Sequence, residues 1–139
     1  MRHAFSVFEL TVSVGILGIL SAVTIPRAAR LLDRVHVNGA AEEIAAVFGA
    51  ARHVAIARGA QTTVDIDAVE GSMSVSAGDI VIRKHGIAAS HGVLISASRS
   101  RMSYSATGMG YGAANLSVVV KRNSVVDTVF VSRLGRVRH

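Results

Sequence analysis

Six histidines, nine carboxylates, and fifteen lysines and arginines are the groups of this 139-residue chain that could do chemistry, and their spacing limits which chemistry is open to them. The histidines fall at positions 3, 36, 53, 85, 91 and 139, with no HxH or HExxH arrangement to turn two imidazoles onto one metal ion. Cysteine is absent, which excludes a disulfide framework, a thiolate metal site and a cysteine nucleophile. Asp65 and Asp67 stand two apart in TTVDIDA, a segment with the alternation of a strand. Their carboxylates then share one face, and without an EF-hand-like loop around them that face reads as a solvated one. Gly108, Gly110 and Gly112 have the look of a phosphate loop, but no helix follows to present its first N–H groups to an anion, so a hairpin loop fits better. No constellation for nucleophilic, acid–base or metal-assisted catalysis is left, and the chain reads as a non-enzyme with no cofactor.

What does stand out is a single glutamate in apolar surroundings and a cluster of arginines at the far end. Half of the residues are hydrophobic and few are aromatic, a balance that suggests part of the chain is not in water. That part is the run from Phe5 to Ile25, 21 residues interrupted only by Ser6, Glu9, Thr11, Ser13, Ser21, Thr24 and two glycines. As a helix it would extend roughly 31 Å, enough to cross a bilayer core of about 30 Å. A secretory signal peptide, with Arg2 and His3 as its basic region, is the simpler alternative. The run is long for one, however, and Pro26 and Arg27 follow it where a small-residue cleavage site would stand. A carboxylate in hydrocarbon costs several kcal/mol unless it is paired or protonated, so Glu9 either has a partner or lies at the headgroup level near the helix end. Arg27, Arg30 and Arg34 flank one end of the run and Arg2 and His3 the other, and charge counting alone would leave the bulk of the chain in the cytoplasm.

The stretch FSVFELTVSVGILGILSAVTIP resembles, position by position and without a gap, the N-terminal segment of type IV pilins and type II secretion pseudopilins. The resemblance implies that MRHA, residues 1–4, is a leader removed by prepilin peptidase between Ala4 and Phe5 on the cytoplasmic side. Phe5 then becomes a methylated N-terminus and Glu9 the acidic fifth residue of the mature chain. Gly18 and Pro26 fall where the family has its helix-loosening glycine and its kink-forming proline, whereas Ala4 departs from the family's glycine at the cleavage site. In that family the glutamate of an incoming subunit meets the free α-ammonium of its neighbour, so processing creates the partner charge that Glu9 needs. The resemblance also reverses the orientation given by charge counting. It implies a single-pass inner-membrane protein with residues 5–26 in membrane lipid and a periplasmic domain, 27–139, delivered to a pilus or pseudopilus by an inner-membrane assembly platform and joined there to other pilin or pseudopilin subunits.

The elements that would carry these groups follow from hydrophobic period. After Pro26, Leu31, Val35, Ile44, Val47, Phe48, Ala51, Val54 and Ala55 recur mostly at steps of three and four, with charged residues on the other faces, and Gly59 supplies a C-terminal cap. One helix over roughly residues 5 to 58 is predicted, with Asn38 and Gly39 as its weakest point. Beyond Gly59 the period drops to two in TTVDIDA, SMSVSA, DIVIRK, GVLISAS, RMSYSA, NLSVVVKR and VVDTVFVSR, separated by turn-forming segments. The predicted class is α+β, a pilin-like fold with a long N-terminal helix laid on an antiparallel sheet.

AARHVAIARGAQTTVDI, MSYSATGMGYGAANLSVVV and TVFVSRLGRVR narrow the resemblance to the GspH/FimT branch, the minor pseudopilin H of type II secretion and the FimT-type minor pilins. Charge divides along the chain: residues 27 to 82 carry five Arg against seven Asp and Glu, and residues 83 to 139 carry nine Lys and Arg against Asp127 alone. The densest piece is SRLGRVRH, with Arg133, Arg136 and Arg138, flanked at a distance by Arg99, Arg101, Lys121 and Arg122. A solvated basic tail is the plain reading. Yet GRVR matches the GRxR tail that in some FimT-type pilins is associated with DNA capture in natural transformation. Arg136 and Arg138 would share a side if a closing strand continues, Gly135 would let the backbone turn them outward, and their guanidiniums could grip phosphates in a bidentate manner. With no aromatic in the tail itself, binding would rest on the phosphate backbone and ignore sequence. Two functions follow: a structural subunit of a type II secretion pseudopilus or type IV pilus, and, on the same scaffold, a DNA-binding minor pilin.

Overall fold

A computed structural model of the chain describes residues 6–111 and 115–139; the proposed cleavage site Ala4–Phe5, and Gly112, lie outside them. Helix α1 spans Val7–Arg58, 52 residues, and continues unbroken across Pro26. There it lacks the amide that would donate to the Ala22 carbonyl. Its end is a Schellman turn: Gly59 adopts φ +59°, its N–H donates to the Ile56 carbonyl at 3.2 Å, and the Ala60 N–H donates to the Ala55 carbonyl at 3.2 Å.

The chain divides into two compact units, one ending at Leu32 and the other comprising Asp33–His139. In the first, every described residue is exposed, and it contains an 18-residue window apolar enough to cross a membrane. Two of its hydroxyls are satisfied within the helix: Thr11 donates to the Phe8 carbonyl and Ser13 to the Glu9 carbonyl, each at 2.8 Å. Such internal satisfaction is what a helix in hydrocarbon needs of its polar side chains.

In the second unit one stripe of α1 is buried, made of Asp33, Val37, Ala40, Ala41, Ile44, Val47, Phe48, Ala51 and Ala55. Leu31 and Val35, counted with this stripe in the sequence, are each 62% exposed. Stepping back from Val37 at 3.6 residues per turn reaches Asp33, while positions two away lie about 200° around the helix. Among the described residues nine strands and a short helix follow: β1 Thr62–Asp67, β2 Ser72–Ala77, β3 Ile80–His85, α2 Ile87–His91, β4 Leu94–Ala97, β5 Arg101–Tyr104, β6 Gly110–Tyr111, β7 Leu116–Arg122, β8 Val125–Val131 and β9 Val137–Arg138. They form two antiparallel sheets, β3-β2-β1-β5-β6 and β4-β7-β8-β9. Both sheets send alternate residues into a single core with the helical stripe, Val64, Met73 and Tyr104 from the first and Val118, Val120 and Val129 from the second. All seven expected strand segments are present; α2, β6 and β9 were not foreseen, since five or two residues are too few to display a period.

Two carboxylates of α1 fasten the loops around this core. Asp33 accepts from Arg122 Nε at 2.9 Å and Asn123 Nδ2 at 3.0 Å, and Arg122 Nη1 also donates to the His91 carbonyl at 2.5 Å. The Asn123 hydrogen bond, aided by Arg122, holds the Asp33 carboxyl below its ordinary value against the effect of desolvation. Glu43 accepts from His85 Nδ1 at 3.0 Å on one oxygen and His91 Nε2 at 2.9 Å on the other. Desolvation pushes Glu43 up, but the two imidazole hydrogen bonds and their charge together outweigh it and hold the carboxyl below its usual range. An ionised carboxylate only accepts, so both facing ring nitrogens carry protons.

Because both carboxyls are held below their unfolded values, the stability they contribute is complete above about pH 4 to 5 and disappears as pH falls through the lower, folded values. Urea unfolding of the detergent-solubilised chain should therefore show a midpoint that drops below about pH 4. Glu43→Ala, which strands two imidazole donors, should cost about 2 kcal/mol at pH 7 and make that acid-dependent drop shallower. An unchanged pH profile in the variant would show that the His85–Glu43–His91 bridge does not contribute.

Candidate functional site

The two groups singled out by their chemistry lie on different elements. Glu9 sits in the first turn of α1, where a negative charge is favoured by the helix dipole. Ser6 opens that turn, its Oγ accepting from the Phe8 N–H at 3.3 Å as an N-cap does. Among the described residues the Glu9 carboxylate has no ion-pair or hydrogen-bond partner. Gly18 lies within the same helix with open space around its Cα.

The basic tail is held by two nested turns. Gly135 donates to the Ser132 carbonyl at 2.9 Å, Ser132 donates to the Arg136 carbonyl at 2.9 Å, and the Arg136 N–H returns to Ser132 Oγ at 3.2 Å. Beside it, Gly108 donates to the Ser105 carbonyl at 2.8 Å, and Gly110 joins the two turns by donating to the Arg133 carbonyl at 2.9 Å. Both turns press on α1. A Cβ added at Gly135 would lie 2.9 Å from the Gly108 carbonyl oxygen and 3.1 Å from Arg52 Cδ, and one at Gly108 would lie 2.7 Å from Ile56 Cδ1. Gly135, at φ +72°, is thus required by close approach as well as by its left-handed backbone. Under these turns, Arg52 Nε and the Tyr104 hydroxyl are buried without a partner among the described residues, and burial pushes the Tyr104 phenol up to about 12 despite the opposing Arg52 charge.

Beyond the turn, β9 pairs with β8, and Arg136 and Arg138 line one groove of about 570 Å³ on the outer face of the second sheet. Register sets its floor: Ser117 stands opposite Phe130, and Phe130 opposite Arg138. Directly paired residues share a face, so the aromatic residue missing from the tail is supplied by the neighbouring strand, with Phe130 58% exposed. Neither Arg133, Arg136 nor Arg138 has a carboxylate partner among the described residues. The flanking cations do not all join this face. Arg122 turns to Asp33, and Arg101 pairs with Asp65 across the first sheet. Asp67 caps the backbone N–H groups of Val69 and Glu70 at 2.9 and 3.0 Å. The meeting of His85 and His91 on Glu43 was invisible in sequence, since the three are 42 and 48 residues apart; among the described residues no three such groups converge as metal ligands.

Gly78 provides a control for Gly135, because it has φ +60° but nothing near its missing Cβ. Gly78→Ala should cost about 1 kcal/mol, the left-handed penalty alone, and Gly135→Ala distinctly more because a backbone oxygen must also move. Equal losses in thermal unfolding would show that the nested turns yield freely.

Comparison with known proteins agrees with this architecture. The family described as type II transport protein GspH matches residues 40–135, from the buried stripe of α1 to Gly135. Two crystal structures of the type IV minor pilin FimU from Pseudomonas aeruginosa (strain PAO1) share the fold. The P21 form has a TM-score of 0.66 at 17% identity over 78% of this chain and 90% of that one. The P65 form has a TM-score of 0.60 at 18% identity over 73% and 90%. No curated protein sequence matches significantly. With long helix, antiparallel sheets and family match in agreement, the chain belongs to the family described as type II transport protein GspH.

Proposed function

We propose that this protein is a structural subunit of a type II secretion pseudopilus or type IV pilus, cut by prepilin peptidase between Ala4 and Phe5 and anchored by α1 in the inner membrane with its β-rich domain in the periplasm. The observation that carries the reading is Glu9, a carboxylate without a partner among the described residues, in the first turn of an exposed helix apolar enough to cross a membrane. A charge so placed needs a counter-charge from outside its own helix, and the ammonium of a neighbouring processed subunit supplies one. Glu9→Gln should leave the periplasmic domain folded, with an unchanged thermal midpoint, while sharply reducing recovery of the subunit in sheared fibres at limiting expression; the recovered wild-type mass should begin at Phe5. Normal incorporation of the variant would defeat the charge-pair account.

A second reading is favoured by one observation, that Arg136 and Arg138 share a groove with no carboxylate in its lining. On this reading the second sheet offers the fibre a site for nucleic-acid phosphates. The full-length chain in non-ionic detergent should shift DNA at about 50 mM salt. Arg136→Ala with Arg138→Ala should weaken binding across all sequences and flatten the salt slope by about two units. Wild-type binding by the double variant would reduce the tail to a solvated one.

A further inference from the structure

The groove on the second sheet holds more than two cations. Phe130 lies near the end of β8 between buried Val129 and Val131, yet it is 58% exposed on the outer face. Of the described aromatic residues in the second unit, Phe48 and Tyr104 are fully buried, so Phe130 and Tyr111 are the ones that meet solvent, and Phe130 is the one in register with Arg138. The rest of the lining is uncharged, three serines and Asn115 beside Leu116, Val131 and Leu134. Ser98 and Ser117 are joined through the Ser117 N–H donating to Ser98 Oγ at 3.0 Å, Leu134 closes one side, and no acid is present.

From this juxtaposition we infer that the groove takes single-stranded nucleic acid, one unstacked base lying on the Phe130 ring while Arg136 and Arg138 hold neighbouring phosphates. The inference rests on the nucleic-acid reading above and narrows it. A duplex keeps its bases stacked inside and would meet the groove through phosphates alone, leaving the ring without a planar partner. A single strand can turn a base out onto an aromatic platform, and a ring beside guanidiniums on a sheet face is the arrangement that rewards it. The groove's volume of about 570 Å³ lies in the range that encloses one small ligand, and a nucleotide is of that size. An acidic peptide would satisfy the arginines but gain nothing from the ring.

The chain contains no tryptophan, so Phe130→Trp places one reporter indole in the groove. The full-length protein in non-ionic detergent is titrated at about 50 mM salt with four probes of equal charge: oligo-dT, an abasic strand with the same phosphates, a duplex, and polyglutamate. Oligo-dT should bind about tenfold more tightly than the abasic strand and quench the indole; the abasic strand and duplex should not quench it. Phe130→Ala should abolish the preference for oligo-dT over the abasic strand while leaving the salt slope unchanged, with an unaltered thermal midpoint confirming its fold. Arg136→Ala with Arg138→Ala should weaken both strands alike. Equal binding of oligo-dT, abasic strand and duplex, unaffected by Phe130→Ala, overturns the single-strand inference and leaves the phosphate reading standing. Polyglutamate binding as tightly as oligo-dT replaces it with an acidic protein partner. Binding of no polyanion removes both readings together.

Discussion

The buried stripe of α1, from Val37 to Ala55, is the contact on which the rest of the Asp33–His139 unit depends. Neither sheet has a second layer of its own. Each hides its apolar face by packing around this helix, and the core residues of both sheets form one cluster with it. The stripe's composition makes that possible. Ala40, Ala41, Ala51 and Ala55 leave room for the strands to approach, while Ile44, Val47 and Phe48 fill the space between them, all at or near zero exposure. Where the stripe would continue beyond Val37 it meets Asp33, and there the packing becomes polar.

That change of chemistry organises the neighbouring loops. Asp33 receives the β7–β8 turn through Arg122 and Asn123, and Arg122 reaches on to the carbonyl at the end of α2. Ten residues along, Glu43 receives His85 from the end of β3 and His91 from α2. Two carboxylates on one helix thus fix where three later segments end, at the cost of partial desolvation that their hydrogen bonds outweigh. Farther along the same helix, Arg52 and Ile56 do the equivalent service for the C-terminal turns through close packing, with glycines at 108 and 135 because no side chain fits. Those turns aim β9, whose Arg138 stands opposite Phe130, with Arg136 just before the strand lining the same groove.

Much of this was legible in the residue order. The long helix, its stop at Gly59, the seven main strands and the α+β class follow from local period and capping, because a buried face must repeat at 3.6 or 2 residues wherever it occurs. The apolar segment with Glu9 was equally plain, since length and composition are properties of a single helix. Less legible was the phase of the stripe near its start: Leu31 and Val35 are apolar and Asp33 is charged, so hydropathy favoured the wrong face where a hydrogen-bonded carboxylate takes a core position.

What the sequence by itself determined are therefore the features set by neighbours along the chain: helix, strands, caps, the carboxylate in the apolar segment and the excess of positive charge toward the C-terminus. Only the tertiary structure decided the number of sheets, the meeting of His85 and His91 on Glu43, the dispersal of Arg101 and Arg122 to separate carboxylates, and the place of Phe130 next to Arg138. Each of these depends on strand register or on contacts between residues tens of positions apart, and such contacts are chosen by how the whole core packs, a quantity no local window of residues contains.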